Sequence, residues 1–368
     1  MTLNHEIKEK TELLDRRGRL IEKGYATKMN FIYNRDCVKS FPLKLKEWNF
    51  YQFIKDHYVV QLTIGHVSYM CSVTATLIDL LTGEKHEINA MKPLFVPELD
   101  RDPEGESFNE FTAENFYMSF QVTGDKRLLY VKGQNEKYQN VEIRLVIDND
   151  IANEKMVIAT PFRNPKQFYL NYKENYYSGT GEVKFEGRKQ SEPQVHEDAV
   201  EKCDGEACDG QTCGNQTCDI VVDFDGCTGL IDWGRGVWPY SHEWFWGNLS
   251  SHINGVPFGF NIGWGFGDLS NATENMYFYN KKAYKVGRLM VKRDKDDYMQ
   301  PWKLKDEENK IRMIFTPIYD NYTENKYVVV NTHCDQVYGL FSGVIETEDG
   351  PKKFRDVLAF IEHAVNRW

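Results

Sequence analysis

Between Asp232 and Gly247 the chain reads DWGRGVWPYSHEWFWG, and this stretch holds four of the eight Trp residues. Asp232, Arg235, Tyr240, His242 and Glu243 are set among the rings. A core strand has no use for the charges, and a surface loop has none for the rings. The combination fits the wall of a ligand cavity. A carboxyl desolvated by indole rings is pushed toward its neutral form, which is the form a general acid needs near neutral pH.

Glu243 is the first candidate for that proton donor and Asp232 the second. Arg235 is the nearest counter-ion, and Tyr240 and His242 are candidates to hold the acid or orient a substrate. Strand alternation over HEWFWG puts His242, Trp244 and Trp246 on one face and Glu243 and Phe245 on the other. If the Trp face lines the cavity, Glu243 lies behind it and His242 becomes the better candidate. Structural ion pairing beneath stacked rings is the competing reading of the same charges.

A second stretch, FGFNIGWGFGD, alternates glycine with Phe260, Ile262, Trp264 and Phe266 and places Asn261 between them. A strand with Gly259 and Gly263 on one face is nearly bare there, and a ligand, a ring or another sheet can come close. The glycine spacing superficially resembles a phosphate loop, but no helix or βαβ setting follows, so nucleotide binding is not expected. Trp233, Trp238, Trp244, Trp246, Trp264, Asn261 and Glu274 are the candidate ligand-contacting residues.

The elements that must position these groups read as strands. HYVVQLTIG, FYMSFQVTG, KRLLYVKG, NVEIRLVID, IRMIFTPIYD and QVYGLFSGVIETEDG are β-branched and aromatic, with Gly and Asn punctuation at short intervals. MYFYNKKAYKV reads as a hairpin turning at Asn280–Lys282. Gly234, Gly236 and Pro239 suggest that WGRGVWPY is a bulged or turning connection. FRDVLAFIEHAVNRW is ambiguous between strand and helix. The expected fold is all-β, with two antiparallel barrels or sandwiches packed together. The expected division is an N-terminal arm or short helix (1–24), a first β unit (25–189), an acidic insertion (190–219) and a second β unit (220–368).

The net charge of −10 is mostly local. Residues 190–219 hold eight acids against one base, Lys202. No basic stripe offers a nucleic-acid surface, and no apolar run approaches the roughly 20 residues of a membrane span. The N-terminus lacks a signal pattern, and a cytoplasmic location is expected.

Within the insertion, Cys203, Cys208, Cys213 and Cys218 recur every five residues. Thiolates are good zinc ligands, but zinc sites favour the tight CxxC step that is missing here. A low-complexity pentapeptide expansion in a flexible acidic loop is the preferred reading. These four cysteines are the only candidate metal ligands.

DWGRGVWPYSHEWFWG, FGFNIGWGFGD, TENMYFYNKKAYKV, VYGLFSGV and the terminal NRW resemble a bacterial family known as domain of unknown function 2804. LLDRRGRLIEKGYA and FYLNYKENY fit it too, so the resemblance covers most of the chain. That family is similar to paired lipocalin-like barrels that include carotenoid hydratases, tocopherol cyclase and polyketide cyclases. The resemblance implies a lipocalin-like fold, a large apolar ligand, and acid–base chemistry without a redox cofactor. A short feature of the group, acid–His–x–Trp–Gly, is similar to Glu243-Trp244-Phe245-Trp246-Gly247, with Trp244 at the His position. Two functions follow: a hydratase, cyclase or isomerase acting on a large apolar molecule, or a non-catalytic binder of a lipid-like ligand.

Overall fold

Alternation of apolar and polar residues writes most of this chain as strands. In Tyr138–Asp148, for example, Val141, Ile143, Leu145 and Ile147 are buried while Arg144 and Val146 face solvent. The structure, a computed structural model, describes residues 4–188, 219–326 and 331–367. Among these residues the only helical elements are two 3₁₀ turns of three residues each. Among the described residues, no helix is long and apolar enough to cross a membrane.

The strands form two large curled antiparallel sheets, giving an all-β fold with two barrel-like units. The first sheet runs in the order Lys85–Pro93, Met70–Asp79, Tyr58–His66, Lys46–Lys55, Cys227–Val237, Phe168–Gly187, Tyr138–Asp148, Lys126–Gly133, Phe116–Thr123 and Ser107–Ala113. Its interior is filled by Tyr51, Phe53, Phe120, Ile143, Leu170 and Trp233, among others. The second sheet runs in the order Lys282–Lys285, Met276–Tyr279, Val256–Trp264, Ser241–Ile253, Gly350–Arg367, Asn331–Thr347, Ile311–Lys326, Trp302–Asp306 and Leu289–Lys292. Phe260, Ile262, Trp302, Phe315 and Phe341 fill it.

Several local expectations can be placed on this frame. The hairpin turns at Asn280 and Lys281, both at positive φ (51° and 68°), as a two-residue turn that follows the strand twist requires. FRDVLAFIEHAVNRW is strand from Phe354 to Arg367, within Gly350–Arg367. Residues 4–24 form no helix; short bridges tie them to Tyr25 and Phe31–Ile32. Ile220–Asp223 and Cys227–Val237 pair into the first sheet, so the chain crosses to the second sheet only at residues 238–240. The cysteine-rich insertion lies outside the described residues.

The expected bulged or turning connection over WGRGVWPY holds only for residues 238–240, where the chain crosses between the sheets, and is corrected for the residues before it. Trp233, Gly234, Arg235 and Gly236 sit in regular register against Lys46–Trp48 and Asn49. The glycines serve packing rather than turning. A Cβ at Gly234 would lie 2.1 Å from Cζ2 of Trp48, so only glycine lets that ring lie across the strand.

Candidate active site

Period-2 alternation decides which side chains leave each barrel for the space between them. On Cys227–Val237, Ile231, Trp233 and Val237 point into the first barrel, and Asp232 points out. On Phe168–Gly187, Leu170 and Tyr172 point in, and Tyr169 and Lys173 point out. On Ser241–Ile253, Leu249 joins the second barrel's core, whereas Trp244 and Trp246 leave it. On Gly350–Arg367, Ile361 points in and Glu362 points out.

The outer faces of the two sheets therefore meet along a partly open cavity of about 920 Å³. Its aromatic floor holds Trp48, Tyr169, Trp238, Trp244, Trp246, Trp264 and Phe266. The rings contact one another: Trp238 lies edge-on to Trp48 at 5.6 Å and to Phe266 at 5.6 Å, and Trp244 meets Phe266 at 5.5 Å. A cavity of this size with a few convergent polar groups is the usual form of a small-molecule site.

Four ionisable groups converge on that floor. The Lys173 ammonium lies 3.3 Å from Asp232 Oδ1 and 3.7 Å from Glu274 Oε2, and 4.5 Å from the centre of the Trp246 ring. Asn171 donates from Nδ2 to Asp232 Oδ1 at 2.5 Å and accepts from Lys173 at 2.5 Å. Glu362 accepts from Trp244 Nε1 at 2.7 Å. Burial, reinforced by the negative charge of Asp232, raises the Glu362 carboxyl to about 7; the Trp244 hydrogen bond and Lys173 only partly offset this. Burial and Asp232 likewise raise Glu274 against the pull of Lys173.

Glycine positions this set. A Cβ at Gly263 would stand 3.1 Å from Glu274 Oε2, so the bare face of Val256–Trp264 is what lets Glu274 fold over the strand. Asn261, on the same face, donates to the Glu274 carbonyl at 2.9 Å and accepts from Trp246 Nε1 at 2.7 Å. It props the site without lining the cavity. Lys285 reaches the carbonyls of Thr273 and Asn275 at 2.8 and 2.7 Å and ties down the loop that carries Glu274.

Matched over residues 4–368, the chain fits the model of the domain of unknown function DUF2804. It belongs to the DUF2804 family. No curated protein matches it. Among solved structures, kievitone hydratase from Nectria haematococca is similar at 13% identity and a TM-score of 0.48, over 88% of each chain. CghA is similar at 7% identity and a TM-score of 0.40, over 99% of this chain and 97% of its own.

In this DUF2804 chain the structure brings together only part of the residue set that the sequence suggests. Asp232, Glu274, Trp238, Trp244, Trp246 and Trp264 line one cavity. Glu243 does not: its side chain is 63% exposed and lies 3.8 Å from the His363 imidazole. Alternation turns it to the Phe245 side of its strand. Arg235 pairs with neither Asp232 nor Glu243. It is buried inside the first barrel, bonded to the Trp48 carbonyl, Asn49 and Asp100, with its guanidinium 3.9 Å from the Trp233 ring. Trp233 faces the same interior and donates to Asp100 Oδ2 at 2.8 Å.

His242 is held off the cavity. Its Nδ1 donates to the Pro239 carbonyl at 2.9 Å, its Nε2 accepts from Trp238 at 3.1 Å, and its ring stacks on Trp244 at 5.7 Å. Burial lowers it to about 4, so it is neutral at physiological pH. Tyr240 stands exposed at the crossing between sheets. Cys203, Cys208, Cys213 and Cys218 lie outside the described residues, and among the described residues no cluster of three His, Cys, Asp or Glu side chains could hold a metal.

Lys173, Glu362, Trp48, Tyr169 and Phe266 are among the cavity residues that sequence reasoning missed. One signal was available for the first two: each is an ionisable residue at the centre of an aromatic or aliphatic strand, in YLNYKENYY and LAFIEHAV.

Proposed function

We propose that the inter-barrel cavity is the active site of an acid–base enzyme of the hydratase, cyclase or isomerase class, acting on a large and mainly apolar small molecule. The observation that carries this reading is the contrast between Glu362 and Asp232, which face the same cavity from different sheets. Burial holds Glu362 near a pKa of about 7, where a carboxylic acid can both hold and deliver a proton at neutral pH. Asp232 lies 3.3 Å from the Lys173 ammonium and accepts from the Asn171 amide at 2.5 Å. Carboxyls with surroundings this different suit opposite roles.

Glu362 delivers its proton to an alkene or enol carbon. The cationic carbon that forms faces the indole rings of Trp244 and Trp246, whose π faces favour positive charge. Asp232 takes a proton from an attacking water or hydroxyl, or from an adjacent carbon. The outcome is hydration, ring closure or isomerisation respectively. Lys173 orients Asp232, and Glu274 stands on the other side of the ammonium at 3.7 Å. The residues assigned to these steps need no redox cofactor.

The test uses single turnover on a panel of prenylated phenols and polyenes in ¹⁸O water, followed by mass spectrometry. Glu362→Gln and Asp232→Asn should each slow conversion by roughly 10²–10⁴-fold. Ligand dissociation constants, read from quenching of Trp fluorescence, should stay close to wild type. Bound ligand with no conversion by the wild-type protein would instead favour a lipid-like carrier, and variants that convert at full rate would overturn the roles given to Glu362 and Asp232.

A further inference from the structure

We infer that the outer half of this cavity is a subsite for a neutral polyhydroxylated group, such as a glycosyl unit carried by the ligand; this deepens the proposed function and rests on the cavity being a ligand site. Moving outward from the aromatic floor, the lining changes character. Thr63 and Thr74 stand directly opposite one another on neighbouring strands, and Ser72 follows on the same face. Across the cleft stand Asn321, Thr323 and Thr332, from the long hairpin of Ile311–Lys326 and Asn331–Thr347. These side chains are buried or half-buried. Among the described residues, no protein group hydrogen-bonds the hydroxyls of Thr63, Ser72 or Thr74.

The chemistry of this lining selects its ligand. A hydroxyl both donates and accepts, and a primary amide does so through separate atoms. A sugar needs both kinds of partner at once. A phosphate or carboxylate needs donors only, and cations above all. The lysines at this end are already committed, Lys85 to Glu87 at 3.2 Å and Lys326 to Glu324 at 2.7 Å. The carboxylates Glu87 and Glu324 in the same lining disfavour an anion further, and a neutral group meets hydroxyls, amides and carboxylate acceptors. Neighbouring strands put these groups about 4.8 Å apart, and alternate residues along a strand about 6.8 Å apart, which is the scale of one sugar ring. A cavity of about 920 Å³ has room for roughly 30 non-hydrogen groups at the volume of a water molecule each. That accommodates a two- or three-ring apolar body on the Trp floor together with one hexose.

Calorimetric titration with naringenin, its 7-O-glucoside and its 7-O-sulfate tests the inference. The glucoside should bind about ten-fold more tightly than the aglycone, the equivalent of one or two net hydrogen bonds. The sulfate should gain nothing over the aglycone. The double variant T63V/T74V keeps strand-favouring side chains of similar shape. It should erase the advantage of the glucoside and leave aglycone affinity within about two-fold of wild type. A glucoside that binds no more tightly than the aglycone overturns the inference, and so does a double variant that weakens both ligands alike. Octyl β-glucoside against octanol separates this reading from the one beneath it. If the glucosides bind while the aglycones fail, the subsite stands and the apolar-substrate reading falls.

Discussion

Glu362 owes its character to where it is placed, and that makes its titration visible in two ways. As an acid it works only when protonated, so turnover should fall as pH rises through about 7. The same shift bears on stability. A carboxyl whose pKa is raised on folding contributes stability that is fully present below its unfolded value and is lost as pH rises through the folded value. Between about pH 4.5 and 7 the wild type should therefore lose stability that Glu362→Gln does not, on the order of 3 kcal/mol. Thermal denaturation at pH 5 and pH 8 checks this. A wild type and variant that lose stability in parallel would mean that Glu362 is not held neutral. Lys173 bridges Asp232 and Glu274, so Lys173→Met should cost about 3–5 kcal/mol by leaving buried acid unpaired. Asp232 was legible from sequence because it sits among the Trp residues it serves. Glu362 and Lys173 were not, because local sequence cannot show that strands 189 residues apart in the chain face the same void. Glu243 misled for a related reason: its neighbours in sequence are aromatic, but its own face of the strand is not the cavity face.

The glycines act at the level of the strand. Alternation located many of the strands, because burial on one face writes a period of two into the sequence; it did not find Lys46–Lys55, Lys85–Pro93, Phe168–Gly187 or Trp302–Asp306. It also read FGFNIGWGFGD as a strand with one bare face, and Gly259 and Gly263 occupy that face. What alternation could not supply is which group fills the bare space. At Gly263 it is Glu274, at Gly259 it is Asn175, and at Gly234 it is the Trp48 ring. These are contacts between distant segments, and they explain why Gly234 and Gly236 were mistaken for turn residues. Gly234→Ala puts a methyl group 2.1 Å from a ring carbon of Trp48. That ring also lies against Tyr169 and Trp238 at 6.1 and 5.6 Å, so the displacement passes into the cavity floor. The expected cost is about 1–3 kcal/mol of stability, with a shift in Trp emission. Gly124→Ala provides the control for an added methyl in open space, although its φ of 57° adds backbone strain of its own. Unchanged emission in Gly234→Ala would mean that the floor repacks without Trp48.

For the molecule as a whole, the cavity belongs to the seam between barrels, since each barrel's interior is already filled with side chains. A seam formed only by apolar contact would tolerate sliding, but this one is pinned by buried amides. Asn175 sits where the long strand Phe168–Gly187 breaks register, next to Tyr176 at a φ of 49°. Its Nδ2 reaches Asn248 Oδ1 and the Leu249 carbonyl, both at 2.7 Å, on the other sheet. Gln61 and Gln336 join the sheets again at 2.8 Å, and Tyr338 donates to Gln52 at 2.9 Å. Asn175→Leu leaves partners on the second sheet unsatisfied and should cost about 2–4 kcal/mol. It should also weaken ligand binding several-fold, although Asn175 is not part of the lining, because it sets the spacing of the two walls. Arg127→Met provides the contrast. Arg127 is buried in the first barrel on Asn149, Tyr51 and the Pro103 carbonyl, and its loss should destabilise without altering affinity below the transition. Chemical denaturation paired with fluorescence titration under native conditions distinguishes the two. If both variants lose stability and both keep wild-type affinity, the seam joins the barrels without shaping the site, and the walls of the cavity are set by each sheet alone.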